Sequence, residues 1–394
     1  MVEPIRGNKG SNIVGPRNPD RERQNPDSIV TPPTDWGTVL HMKWSWADSH
    51  MRLEEGGWGR EVTVRELPMS RDLAATNMRL EEGAVRELHW HNDSEWAYIL
   101  QGRVRITGID YGGLYFEEDV EKGDLWFFPQ GVPHSLQGLE GGCEFLLIFD
   151  DGESSEYKAF QLTDWLAHTP RDILRKNFKV PESTLEHLPA REKFIFRSIL
   201  SKKSTADEAQ PGANPTRRRL THKMLAQEPI KVPGGEVRIT DSTNFPVTTI
   251  SAAHVVINPG ALREMHWHPY ADEWSMFLSG TAKVTVFTVQ ATRTYNFVAG
   301  DVMIVPRNCG HYIENIGDEP IEMLEIFKAP KFEEFSLNQW LAVTPPHLVQ
   351  AHLNVGAEFT KALDKGHTPI RDGHVPQDTE LAAKNASGIP SAKL

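Results

Sequence analysis

His89, His91, Glu95 and His134 form one set of residues able to hold a divalent metal, and His266, His268, Glu273 and His311 form a second. Each histidine of the first set recurs 177 residues later. The glutamate recurs after 178, because His268 and Glu273 are separated by one residue more than His91 and Glu95; a compensating deletion after Gly280 restores the register before His311. A His-X-His on a strand places both imidazoles on one face, since side chains alternate with period two. In a small barrel that face is the lumen. Three imidazoles and one carboxylate leave two positions of an octahedron open for water, substrate or dioxygen. The lack of a thiolate ligand disfavours structural zinc, and mixed imidazole and carboxylate suit Mn²⁺ or Fe²⁺. Eight ligand-type residues in register make metal binding, rather than incidental burial of histidine, the reading of both sets.

The elements that must position these ligands repeat with them. Gly83 and Gly260 each precede the first His by six residues, and Arg86 pairs with Arg263. Gly123-Asp124 opens an apolar run to Pro129, as Gly300-Asp301 opens one to Pro306. A Trp-Leu-Ala segment follows each copy, residues 160–170 beside 335–345. The duplicated unit is therefore a domain plus its exit helix. Residues 104–106 and 284–286 alternate with period two, residues 145–149 and 323–327 are apolar or mixed runs, and Gly, Asp, Pro and Asn punctuate them at strand-and-turn spacing. The expected class is all-β, two tandem barrels with short helices after each. Helical signals stand only behind the β units: Thr163 as N-cap, then 170–178, 345–353 and 357–363. The fourth ligand of each set arrives past a turn, Pro129-Gln130-Gly131 or Pro306-Arg307-Asn308. The expected organisation is an N-terminal arm over 1–45, a domain over 46–200, a linker over 201–221, a second domain over 222–365 and a polar tail over 366–394.

The 394 residues suffice for two domains with cores of their own. Lys and Arg number 42 against 54 Asp and Glu, a formal charge of −12, which argues against nucleic acid or an anionic membrane as partner. Arg217-Arg218-Arg219, the one basic triplet, reads as a solvated linker edge. Cys143 and Cys309 occupy no paired-Cys metal spacing and are expected to be unlinked thiols in a reducing compartment. The N-terminus has no apolar stretch of signal-peptide type and no apolar run nears the ~20 residues of a membrane span. A cytoplasmic location is expected. Two weak address-like patterns, Asn385-Ala386-Ser387 and Ala392-Lys393-Leu394, carry no argument.

The pattern Gly83, His89, His91, Glu95, Gly102, Gly123, Pro129, Gly131 and His134 resembles the cupin superfamily. The second copy follows it with one departure, Asn308 where a turn glycine is expected. The string Arg-Glu-Leu-His-Trp-His at 86–91, its relative at 263–268, Phe-Asp-Asp-Gly at 149–152 and the Ser-Glu pair that follows narrow the resemblance to the bicupin oxalate decarboxylases. The resemblance implies two Mn²⁺ per chain, dioxygen as a cofactor, oxalate as substrate and a hexamer built from two trimers.

Arg86 and Arg263 lie three residues before the first His, an odd offset that points them to the opposite strand face unless the backbone bends. Taken alone each is a salt-bridge residue or a guanidinium for an anionic substrate; the resemblance implies the latter. It likewise implies that Ser155-Glu156 belongs to a lid over the first metal, with Glu156 as the acid. The loop then departs from the family at Lys158-Ala159. Ala329-Pro330-Lys331 follows Phe327 in the second domain, and no equivalent lid is expected there. Glu325 stands where the first repeat has Leu147, either bonded to Arg263 or a ligand His, or catalytic. Trp90 and Trp267 point away from the metals, toward a domain or subunit interface. The favoured function is oxalate decarboxylation at the first site, with the second metal mainly structural. Oxalate oxidase, giving CO₂ and peroxide, and a non-catalytic metal-binding bicupin are the alternatives.

Overall fold

The computed structural model describes residues 18–200 and 219–375. The linker stretch up to 218, Arg217 and Arg218, and both C-terminal address-like patterns lie outside the described residues.

Two β barrels follow one another, each trailed by short helices. In the first, Glu95–Ile109 and His134–Phe149 run unbroken through both layers, so its strands join one 11-stranded sheet. Gly102 makes the required bend at φ +74°, where a Cβ would meet the Gly142 carbonyl oxygen at 2.0 Å. In the second barrel the equivalent strands are broken. Glu273–Ser279 and Thr281–Thr288 flank Gly280, and Gly310–Asn315 and Ile321–Phe327 flank a turn, giving sheets of seven and six strands. The inward residues of these strands alternate with outward ones: the burial of Thr281–Thr288 repeats every second residue.

Each barrel takes a short strand from the segment that precedes the other. Lys43–Ser45 pairs with Asp301–Val305 of the second barrel, and Thr221–Lys223 pairs with Asp124–Phe128 of the first. Lys43 is buried, bridges Asp301 at 2.9 Å and donates to the Asn296 carbonyl at 2.6 Å. The contact between barrels is apolar: Trp46, Trp96 and Tyr98 join Trp274, Val302 and Leu324 in one core. Burying a large apolar side chain contributes about 1.5–3 kcal/mol, so this core holds the barrels together as one body.

The arm preceding residue 45 lies along Ala291–Val298 of the second barrel. Trp36 and Thr292 exchange backbone hydrogen bonds, and Asp35 accepts from the Thr294 N–H and hydroxyl at 3.0 and 2.8 Å. It also contains a helix where an extended arm is expected, Pro19–Gln24, which Asn18 caps and whose first turn Pro19 occupies. The other helices stand behind the barrels, at Leu162–Ala167, Arg171–Phe178, Leu337–Val343, Pro346–Leu353 and Ala357–Ala362. Thr163 is not the N-cap of its helix. Gln161 is, and the Thr163 hydroxyl donates instead to Glu87 at 2.5 Å. Both cysteines are free thiols. No helix among the described residues is long and apolar enough to cross a membrane.

Candidate metal centres and the acids beside them

The strand Val85–Trp90 carries His89, and its partner His134–Phe149 begins at the fourth ligand, His134, directly across the ladder. Glu95 opens the next strand, and the Gly131 N–H donates to the His91 carbonyl at 3.0 Å, folding the turn back onto the ligands. The second barrel repeats this arrangement with His266 opposite His311, and with Asn308 donating to the His268 carbonyl at 2.8 Å. Asn308 adopts φ +65°, so the residue that departs from the family glycine still takes the left-handed conformation, which Asn tolerates best after Gly.

Both ligand sets converge. In each, one donor atom from every residue lies within 4.8 Å of all the others, and all eight residues are buried. The outer ring nitrogens are committed to carbonyls: His89 Nδ1 to Glu87 at 2.6 Å, His134 Nδ1 to Val132 at 2.8 Å, and His266 Nδ1 to Glu264 at 2.7 Å. This fixes the tautomer that turns Nε2 lone pairs inward. The Nε2 atoms of His89, His91, His134, His266 and His268, with Glu95 Oε2, have no hydrogen-bond partner despite complete burial. Buried polar atoms are rarely left so, and a divalent cation satisfies them together. Burial, with the neighbouring Arg86 and Arg263 guanidinium groups adding to it, holds His89 and His266 well below the usual imidazole range, so both remain neutral ligands. Opposing the penalty of their own burial, the adjacent histidines keep Glu95 and Glu273 ionised well below the usual carboxylate range. The other carboxylate oxygen is steadied differently in the two sites. Trp126 Nε1 donates to Glu95 at 2.7 Å, whereas Ser275 Oγ donates to Glu273 at 2.6 Å.

Arg86 and Arg263 do not point away. The ladder register shifts between Arg86 and His89, and between Arg263 and His266. This bulge adds a residue and turns both arginines into the barrels, where they are fully buried. Arg86 Nε donates to Glu156 Oε1 at 2.6 Å, and Nη1 reaches Gln161 Oε1 at 3.2 Å and the Phe194 carbonyl at 3.4 Å. Glu156 is itself buried, on the turn Glu156–Lys158. Its Oε2 lies 3.3 Å from His91 Nε2 and has no hydrogen bond. Thus the first centre has an acid with one oxygen held and the other facing the ligands. Beside it is a cavity of 250 Å³, bordered by His91, Asp93, Phe149, Ser155 and Lys158.

The second barrel, where no equivalent lid is expected, nevertheless carries an equivalent acid. Glu334 occupies the corresponding place: its carboxylate pairs with Arg263 and stands 3.9 Å from His266 Nε2. A signal was available in the sequence, for Glu334 follows Glu156 by the same 178 residues that separate Phe149 from Phe327. The three residues after Glu156 have no counterpart, because Phe335 follows Glu334 directly. The lid-like turn is missing there, but the carboxylate is present. Its oxygens are both engaged, Oε1 by Arg263 Nη1 at 3.3 Å and by His367 Nε2 at 2.8 Å, and Oε2 by Arg263 Nη2. Glu325 also pairs with Arg263, at 3.1 Å from Nε, and touches no ligand histidine by hydrogen bond. A 570 Å³ cavity, bordered by Tyr270, Phe332 and His367 among others, opens beside this cluster.

Trp90 stacks on Phe160 at 5.4 Å between ring centroids and meets Trp165 edge-on at 5.7 Å; Trp267 does the same with Phe335 and Trp340. Trp165 and Trp340 remain 61% and 54% exposed, so these clusters are outward-facing.

The pattern of the cupin family matches residues 48–186 and again 222–361. The chain is 53% identical to oxalate decarboxylase OxdC of Bacillus subtilis (strain 168) over 374 residues, 94% of this chain and 97% of that one. It is 41% identical to a probable oxalate decarboxylase of Arthroderma benhamiae over 364 residues, 91% of this chain and 90% of the relative. A solved structure of the Bacillus subtilis oxalate decarboxylase, described for its Mn(II) centers, superimposes with a TM-score of 0.89 at 52% identity, covering 93% of this chain and 98% of that one. With two cupin domains in tandem and both His₃Glu sets intact, the chain belongs to the bicupin oxalate decarboxylases of the cupin family.

Proposed function

We propose that the protein is a manganese-dependent oxalate decarboxylase that converts oxalate to formate and CO₂ with dioxygen as cofactor, turning over at the first centre. The carrying observation is the difference between the two acids. Glu156 has one oxygen on Arg86 and one facing His91 without a partner, whereas both oxygens of Glu334 are taken by Arg263 and His367. Charge points the same way. Arg86 faces one carboxylate and otherwise neutral acceptors, while Arg263 faces two carboxylates, Glu325 and Glu334. An anionic substrate is favoured where the guanidinium is less neutralised.

His89, His91, Glu95 and His134 would hold the first metal, and His266, His268, Glu273 and His311 the second. Manganese is chosen by analogy with the Mn(II) centers of the Bacillus subtilis relative. When bound, metal and dioxygen supply a one-electron oxidation of the substrate, which spares the loss of CO₂ an unstabilised carbanion. Arg86 orients and polarises the substrate's distal carboxylate, exchanging its weak contacts to Gln161 and Phe194 for substrate oxygens. Glu156 accepts the substrate proton at Oε2 and returns it to the carbon that becomes formate. The turn bearing Glu156 shuts out water meanwhile, which keeps that proton in place. Arg263 and Glu325 act in the second barrel as a buried support for its metal set, which is mainly structural.

We further propose that the enzyme is a cytoplasmic hexamer. The outward aromatic clusters around Trp165 and Trp340 are surfaces that neighbouring copies would cover. The decisive experiment measures metal content, formate and hydrogen peroxide together for wild type and Glu156→Ala. Formate is expected from wild type and should fall by at least about 100-fold in the variant, with metal retained. Full formate production by the variant sinks the assignment. The Lys158-Ala159 departure supports a second reading, oxalate oxidase, which the same assay identifies by peroxide in place of formate.

A further inference from the structure

The residues flanking Glu156 on both sides are tied to one strand, Gly57–Val62. Ser155 Oγ donates to the Glu61 carboxylate, 3.0 and 2.9 Å from its two oxygens. Tyr157 donates its hydroxyl to the Gly59 carbonyl at 2.9 Å and its N–H to Glu61 at 3.4 Å. The Tyr157 ring meets Phe194 edge-on at 5.7 Å. Phe194 is buried at φ +55° between two guanidinium groups, Arg52 at 3.8 Å and Arg86 at 4.4 Å from its ring centroid. The loop closes on itself: Tyr157 leans on Phe194, Phe194 packs Arg86, and Arg86 holds Glu156.

None of this recurs in the second barrel. Glu334 runs straight into Phe335, so no counterpart of Tyr157 exists, and Ile239 holds the register position of Glu61. The anchoring is confined to the barrel whose acid has a free oxygen.

We propose that Tyr157 is a positioning residue that latches the turn over the first centre and thereby sets how much substrate ends as formate rather than as peroxide. This rests on the decarboxylase reading above. In decarboxylation, hydrogen oxalate breaks its C–C bond to CO₂ and formate; the proton lodged on Glu156 ends on the formate carbon, and dioxygen is recovered. When the turn opens before that proton returns, the carbon is oxidised instead. Hydrogen oxalate, one further proton from solvent and dioxygen then give two CO₂ and one hydrogen peroxide, dioxygen taking two electrons and two protons. Tyr157 touches no reacting atom; it acts by holding Glu156 in place.

Tyr157→Phe removes only the hydroxyl and keeps the ring against Phe194, so it separates latching from folding. A single partly buried hydrogen bond of this kind shifts an opening equilibrium by about 2- to 10-fold. Two measurements are made on metal-loaded protein of equal manganese content: hydrogen–deuterium exchange of the amides of 155–159, and the peroxide-to-formate ratio. Both are expected to rise by about 2- to 10-fold in Tyr157→Phe, with a further rise in the double variant with Glu61→Ala. Exchange and ratio equal to wild type in Tyr157→Phe overturn the latch. Faster exchange in a protein that makes no formate at all supports the latch and overturns the decarboxylase reading instead.

Discussion

Arg263 Nε donates to Glu325 Oε1 at 3.1 Å, and Glu325 stands where the first barrel has Leu147. With Glu334 on its other edge, Arg263 sits between two buried carboxylates. Arg263→Ala should therefore leave Glu325 without its cation and Glu334 with His367 alone, at a cost of about 3–5 kcal/mol. Glu325→Leu keeps the Arg263–Glu334 pair and copies the first barrel, so it should cost less than half as much. Urea unfolding of both variants checks the order; equal losses would contradict the arrangement.

The two centres should be separable. His134→Ala is expected to lower metal content from two to one per chain and abolish formate. His311→Ala should also lose one metal but keep most turnover per remaining first-site metal. Elemental analysis beside formate quantification tests this. Loss of all activity in His311→Ala, with the first metal still bound, would contradict turnover at the first centre.

Burial raises the Glu61 carboxyl from 4.5 to about 7, with the nearby Glu156 charge adding to it and hydrogen bonds from Ser155 and Tyr157 opposing it. A carboxyl whose folded value is raised contributes stability that is whole below its unfolded value and is lost as pH climbs through the folded one. Conformational stability at this position should thus decline from about pH 4.5 to 7, by about 3 kcal/mol in all. Glu61→Gln, permanently neutral, should flatten that decline. Denaturation midpoints across this pH range, with and without the substitution, give the answer.

Asn308 and Gly102 show the backbone's demands. At φ +65° Asn308→Gly should be nearly neutral, while Asn308→Ala should cost about 1–2 kcal/mol. Gly102→Ala should be worse, since its Cβ would overlap the Gly142 carbonyl oxygen at 2.0 Å. Thermal unfolding of the three variants ranks them directly.

The ligand sets were legible because their code is local. A His-X-His on a strand needs only period-two alternation to aim both rings inward, and the 177-residue recurrence located the second set. Arg86 was harder to read. Alternation alone turned it outward, and a bulge between Arg86 and His89, invisible in the residue types, turned it back. The match of Glu334 to Glu156 is masked in the sequence, because the segment after the acid is three residues shorter in the second copy. The N-terminal helix at Pro19–Gln24 has an Asn-Pro capping signal, set in a segment whose Pro and Arg content points to an extended arm.

A doubled all-β scaffold with eight metal-ligand residues is written along the chain, since strand period, turn residues and ligand spacing are set by neighbours in sequence. Which centre keeps an acid with an unpartnered oxygen follows from packing. That depends on contacts between residues far apart: Phe194 and Gln161 on Arg86, Glu61 on the turn beside Glu156, and His367 and Glu325 closing around Arg263 and Glu334. Whether a buried carboxylate is held by one cation or by two is a property of packing, and no spacing along the chain records it.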